Sequence, residues 1–344
     1  MGWLDFLMEV VVKIASEVLG KIATFFTERA LTKRTKGELP PETVRGLAYP
    51  STCGDDGLDL MKERLYFSVT FGGYFASLLE SPNIYLDMPG QIHCPVAGEA
   101  HPLEWLYGTL NDPAGFRLVT IAAGGGMGKT TLAAKIVRCL YSQNAIDLIL
   151  GDSAKRTEID LITGRPRGVR PGFDDLDSFY RRLAAQTGLT NYPESVGWRA
   201  IVSDLKARLA GQRALIVLDN LDDFGNDEGK RRERNALFES IQSLLGRDVR
   251  ALVTTRKADI TASNAVVVNL NPLARNDVAI ARQFVSWHVD RFVSLNPRLA
   301  NVRNILEDKK QMRRLLEKTG GVPLIIQVVV SRIAFEKLGY LDRL

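Results

Sequence analysis

The sequence predicts an α/β fold with a doubly wound, mainly parallel sheet, and three observations carry that prediction. Short apolar runs alternate with amphipathic stretches from Phe116 onward: "RLVTIAA", "IDLIL", "ALIVLD", "RALVTT" and "AVVVNL". These runs are continuous rather than alternating, as expected of strands buried on both faces. The stretches between them have helical spacing, as with Ile201, Leu205 and Leu209 in "RAIVSDLKARLAG". The third observation is a glycine-rich turn, "GGGMGKTT", set between the first run and a helix that includes Leu132–Leu140.

Taken along the chain, the elements fall into four regions. Residues 1–36 form an amphipathic helix, Trp3 to Arg29, followed by basic residues. Asp5, Glu9, Lys13, Glu17 and Lys21 recur every four residues, and Thr24 and Glu28 continue the narrow polar stripe. The charges recur too often for a membrane-spanning segment. Two readings stand for this helix: packing within a homotypic bundle, or lying in a membrane surface once copies gather. Residues 37–100 form a linker and a helical region, with Leu58 to Glu80 read as a helix interrupted by Gly72 and Gly73. Residues 101–272 carry the sheet, led in by a helix over His101–Leu110. Residues 273–344 read as all helical.

The 344 residues, with 45% apolar and 25% charged content, match an ordinary globular protein. A net charge of +5 is mild and demands no acidic partner. The three scattered cysteines, Cys53, Cys94 and Cys139, argue against a disulfide framework or a zinc site and fit a reducing cytoplasm. His93 beside Cys94 lacks the second ligand pair a metal site needs.

The chemistry centres on the turn. A phosphate chain needs donors that converge without side-chain bulk. Gly124, Gly125, Gly126 and Gly128 leave backbone N–H groups free to point inward around Met127, and the following helix adds its positive end. Lys129 can reach β- and γ-phosphates, Thr130 can coordinate Mg²⁺, and Thr131 completes the turn. Ala123 stands where the strict pattern has glycine. Asp219, at the tip of "ALIVLD", is placed to hold the Mg²⁺ shell opposite Thr130. Asn220 follows where many ATP hydrolases carry a carboxylate. An amide is a poor base, so weak ATPase activity is expected, or a base from Asp222 or Asp223; both can equally be loop acids. Arg256 closes "LVTTR" at the same sheet edge, where a guanidinium can read a γ-phosphate. In "GGVPL", glycines end one helix and Pro323 starts the next.

Together, "IAAGGGMGKTTLA", "LIVLDNLDD", "ALVTTR" and "GGVPL" resemble the NB-ARC group of STAND-type P-loop ATPases, over roughly His101 to the C-terminus. The resemblance implies a P-loop domain with a five-stranded sheet ordered 5-1-4-3-2 and a small helical domain behind it. It implies ATP/ADP and Mg²⁺ as cofactors, with Gly124 to Thr131 on the phosphates, Asp219 on Mg²⁺, Arg256 on the γ-phosphate and Pro323 near the adenine. It further implies a cytoplasmic signalling switch in a defence or cell-death pathway. ADP would hold a closed monomer, and ATP would permit a homo-oligomer that clusters the N-terminal helix, membrane-associated when activated if that helix meets lipid. No winged-helix domain or sensor repeats follow Pro323, so a separate sensor protein, the N-terminal third or a longer chain would do the sensing. Nucleic acid is not expected as a partner. The alternatives are an AAA-type motor or nucleic-acid loader, for which no trans arginine finger is identified, and a metabolic phosphotransferase.

Overall fold

The fold is described by a computed structural model. It covers residues 65–79, 92–93, 102–112, 115–159, 165–224, 228–256, 265–273, 278–293, 302 and 308–336. All of these belong to one compact unit, Leu47–Leu344. The helix expected over Trp3–Arg29, the linker after it, Cys53 and Cys94 lie outside the described residues.

The core is built from five parallel strands: β3 (Leu118–Ala122), β4 (Leu148–Ser153), β7 (Ala214–Asp219), β8 (Val249–Thr255) and β9 (Ala265–Leu270). Their spatial order is β4-β7-β8-β3-β9. The pleat explains why these segments are apolar throughout. Leu215 and Val217 enter one hydrophobic layer, while Ala214, Ile216 and Leu218 enter the other. One layer is closed by α1 (Val69–Leu79), α2 (Pro102–Asn111) and α3 (Lys129–Ser142), through side chains such as Phe75, Leu106 and Leu132. The other is closed by α4 (Leu176–Gln186), α5 (Trp198–Leu209) and α6 (Glu228–Leu244), through Tyr180, Leu205 and Ile241. Two-face burial of a parallel sheet by crossover helices is the arrangement that right-handed βαβ connections produce.

The sheet holds seven strands among the described residues, not the expected five. The additions are edge pieces. β1 (Leu65–Tyr66) runs parallel to β4 with Leu65 opposite Ile149, and β2 (Ile92–His93) runs antiparallel to β9 with Ile92 opposite Leu270. The reading of Leu58–Glu80 as one helix is therefore corrected: a strand precedes α1. Gly72 and Gly73 do not interrupt α1, because Phe71, Phe75 and Leu79 recur at helical spacing and are all buried. Packing of that face outweighs the roughly 1 kcal/mol that each glycine costs a helix. The end of α1 is tied to α3: Lys135 Nζ and Arg138 Nη1 donate to the Leu79 carbonyl at 3.2 and 2.8 Å. A small hairpin, β5 (Thr157–Ile159) with β6 (Pro166–Gly168), extends the connection after β4.

Among the described residues, the sheet itself requires a glycine at position 151. Its φ is +132°, and a Cβ there would lie 1.9 Å from the Val217 carbonyl on the neighbouring strand. The Gln186 side-chain amide brackets the same residue, accepting from its N–H and donating to its C=O at 3.0 Å each.

After β9 the chain is helical in its described parts: α7 (Val278–Val293), α8 (Lys309–Thr319) and α9 (Pro323–Glu336). They share a separate cluster with Val285, Met312, Leu315 and Val330 at its centre. Asp308 caps α8 by accepting from the Lys310 N–H at 2.7 Å, and Gly320 ends it at φ +59°. Cys139 on α3 is disulfide-bonded, a single bond and not the disulfide framework that the cysteine count argued against. Among the described residues, no helix is long and apolar enough to cross a membrane.

Candidate nucleotide site

The strand tips of β3, β4, β7 and β8 meet at one edge of the sheet, the place where open α/β sheets bind ligands. Gly124 to Gly128 form the turn from β3 into α3. Gly126 and Gly128 have φ of +75° and +86°, conformations that side chains other than glycine rarely adopt. A Cβ at Gly125 would meet nothing within 4 Å, so that backbone faces open space. Met127 turns the other way, buried in the layer beneath α3. Gly128 caps α3 without a side-chain hydrogen bond. The first turn of α3 presents the positive end of the helix at this loop.

Lys129 is 6% exposed. Its ammonium donates to the carbonyls of Ala123 and Gly124 at 2.9 and 3.0 Å. Burial lowers its pKa to about 8, against the opposing pull of Asp222, and Arg256 lowers it further. An anion placed in the loop restores the charged form. The proton balance follows from that sign. Below pH 8 the lysine is charged with or without ligand, and this group contributes no pH dependence. Above pH 8 binding must take up a proton, and affinity falls by up to about tenfold per pH unit. Calorimetry at pH 8.5 in two buffers of different ionisation enthalpy is expected to show net proton uptake. Heats independent of the buffer would sink this reading of Lys129.

Asp219 is 1% exposed and is held by hydroxyls from three other segments. Thr130 and Thr254 donate to Oδ1 at 2.6 and 2.7 Å, and Ser153 donates to Oδ2 at 2.8 Å. The expected juxtaposition of Thr130 with Asp219 is present. Ser153 carries no sequence signal for this role: it stands three positions past the apolar run "IDLIL", after a glycine and an aspartate. Thr254 also accepts the Asn220 N–H at 2.8 Å. Asn220 has φ +56°, a conformation asparagine tolerates better than most residues. Position 220 thus makes a sharp turn directly after Asp219.

Beyond that turn lies a short 3₁₀ segment, Leu221–Phe224. Asp222 on it is 5% exposed. Its Oδ1 accepts the Arg256 backbone N–H at 2.8 Å, and its Oδ2 lies 2.9 Å from Arg256 Nε. Burial pushes the Asp222 carboxyl up, with Arg256 and then Lys129 acting against it. Asp223 accepts from Arg256 Nη2 at 3.4 Å and from the Arg156 N–H at 3.2 Å. Arg256 is therefore at the expected edge, but its guanidinium is engaged by two carboxylates. Neither aspartate is the plain loop acid the sequence allowed.

Pro323 is buried at the first position of α9. The next residue reaches the glycine turn: the Leu324 N–H donates to the Gly126 carbonyl at 3.0 Å. A Cβ on Gly126 would lie 2.5 Å from Leu324 Cβ. Gly321, at φ +68°, packs so closely on Leu273 that a Cβ would lie 2.0 Å from its carbonyl. The "GGVPL" segment is thus seated directly on the loop, which the sequence alone did not reveal.

The donor set fits a polyphosphate with a divalent cation. Gly124 to Thr131 could hold the phosphates, and Thr130 and Asp219 the cation, oxygen ligands being what Mg²⁺ takes. A glycine turn leading into a helix N-terminus, a buried lysine, and a strand-tip aspartate on the parallel strand one beyond the neighbour of β3 constitute a P-loop fold.

No protein-family model matches the chain. No curated protein matches it either. Among solved structures it is similar to the Walker-type ATPase PABY2304 of Pyrococcus abyssi, at 12% identity over 69% of this chain and 68% of that one, TM-score 0.43. It is similar to the replication initiator DnaA bound to AMPPCP and single-stranded DNA, at 12% identity over 72% and 65%, TM-score 0.39. It is also similar to the Drosophila ORC bound to DNA, at 15% identity over 68% and 60%, TM-score 0.40. Identities and scores at this level are too low to carry a function from one chain to another.

Proposed function

We propose that this chain is an ATP/ADP-binding signalling switch that assembles in its ATP state and clusters its N-terminal helix, residues 3–29, as an effector. The observation that carries the reading is the hydrogen bond from Leu324 to Gly126, which joins the helical segment to the loop that would cradle phosphates. A ligand in that loop acts on both sides of the contact, and a nucleotide shared by two packed segments biases their arrangement. Lys129 supplies the fixed charge, the α3 N-terminus orients the phosphate chain, and Thr130 with Asp219 positions a cation. Mg²⁺ supplies neutralisation of phosphate charge when bound. Asn220, an amide at the turn after Asp219, supports slow hydrolysis. The defence or cell-death setting rests on the NB-ARC resemblance of the four motifs.

The test is molar mass by light scattering, with ADP and then with a non-hydrolysable ATP analogue. A rise in mass with the analogue only is expected. A monomer in both states would reject the switch. Mass unchanged by nucleotide, together with binding of single-stranded DNA, would favour the nucleic-acid loader instead.

A further inference from the structure

Three features converge on Arg256. Its side chain is 47% exposed, so the guanidinium has solvent on one side into which it can move, whereas the Asp222 side chain is 7% exposed. Asp222 is pinned by the Arg256 backbone N–H through its other oxygen, so the carboxylate stays where it is when the guanidinium moves. The 2.9 Å contact between Arg256 Nε and Asp222 Oδ2 lacks hydrogen-bond alignment, since that oxygen has no hydrogen-bond partner. The pair is held by charge rather than by a directed bond, and Asp223 adds only a longer contact at 3.4 Å. An exchange of partners is therefore open to Arg256 and closed to Asp222.

Resting on the nucleotide-binding reading above, we propose that Asp222 sets the discrimination between nucleoside triphosphate and diphosphate by competing with the terminal phosphate for Arg256. A diphosphate leaves the Arg256–Asp222 pair intact. A triphosphate draws the guanidinium to its terminal phosphate and leaves a buried carboxylate without its main counter-charge, a cost charged to the triphosphate alone. Lys129 also lies in the field of Asp222, so removing the carboxylate favours any anion to some degree. The discriminating quantity is therefore the ratio of the two affinities, not either one.

The experiment measures equilibrium affinities for ADP and for a non-hydrolysable ATP analogue, by fluorescence or calorimetry, on the full chain. Asp222→Asn keeps the acceptor for the Arg256 N–H and removes the charge. It is expected to raise the ATP-analogue to ADP affinity ratio by roughly five- to tenfold, between the worth of an exposed and a buried ion pair. In an Arg256→Gln background the same substitution is expected to change the ratio less than about twofold, since the competition is gone. Equal ratio changes in both backgrounds, or a fall in the ratio, would overturn the proposal. Asp223→Asn, on the more exposed acid, is expected to move the ratio in the same direction by less, and serves if Asp222→Asn does not fold; an unchanged ratio there would count against the proposal. A wild-type chain that binds neither nucleotide rejects the nucleotide reading itself.

Discussion

Lys129→Ala is expected to lower affinity for ADP and for ATP at least about a hundredfold while leaving the fold intact. The two halves of that expectation have one cause. The ammonium is buried and makes its two hydrogen bonds to Ala123 and Gly124 carbonyls, with no carboxylate of the described residues within ion-pair distance. Burial already depresses its pKa to about 8, so the folded chain gains little from holding this charge. Removing it costs the empty protein little stability and relieves desolvation. A polyphosphate in the loop, by contrast, loses a buried charge-assisted partner, worth about 3–5 kcal/mol when one member of such a pair is deleted. At about 1.4 kcal/mol per tenfold, that is about two to three and a half orders of magnitude. Nucleotide titration alongside a thermal melt separates the terms. A variant that keeps its melting temperature and loses binding supports the cradle. Unchanged affinity would reject Gly124 to Thr131 as the phosphate site.

The parts of this site that were legible in the sequence are those fixed by local chain direction. Ala214–Asp219 and Ala265–Leu270 are strands with the boundaries their apolar runs suggest. A residue ending such a run must sit at a strand tip, which placed Asp219 and Arg256 at one edge. Local pattern says nothing about partners distant in sequence. Ser153 donates to Asp219 across 66 positions, and Asp222 engages the backbone of Arg256 across 34. Neither carries a periodic or compositional signal. The same limit explains β1 and β2. Two residues show no alternation, and both strands exist only because a sheet edge offers unpaired backbone groups. Gly72 and Gly73 misled for the opposite reason: propensity favoured a break, and the buried face of Phe71, Phe75 and Leu79 overrode it.

Asp219→Asn is expected to separate cation from phosphate. Asparagine keeps the shape and one good acceptor, so the Thr130 and Thr254 hydroxyls retain a partner at the position of Oδ1. The NH₂ group replaces Oδ2, and the Ser153 hydroxyl must turn from donor to acceptor, which a freely rotating hydroxyl can do. The stability cost is then about 1–2 kcal/mol, the difference between charged and neutral hydrogen bonds at a buried site. Asp219→Ala leaves all three hydroxyls without that acceptor, and about 3–5 kcal/mol is expected instead. The functional effect runs the other way. With the carboxylate gone, the site has one negative charge fewer beside the phosphates. ADP affinity measured in EDTA is therefore expected to hold or rise. The gain in affinity that Mg²⁺ gives a triphosphate is expected to vanish, because Thr130 alone cannot balance a divalent ion. Parallel titrations with Mg²⁺ and with EDTA read this directly. If Asp219→Asn keeps the full Mg²⁺ effect, the cation is held elsewhere, and the three hydroxyls serve only to secure a buried carboxylate at the end of β7.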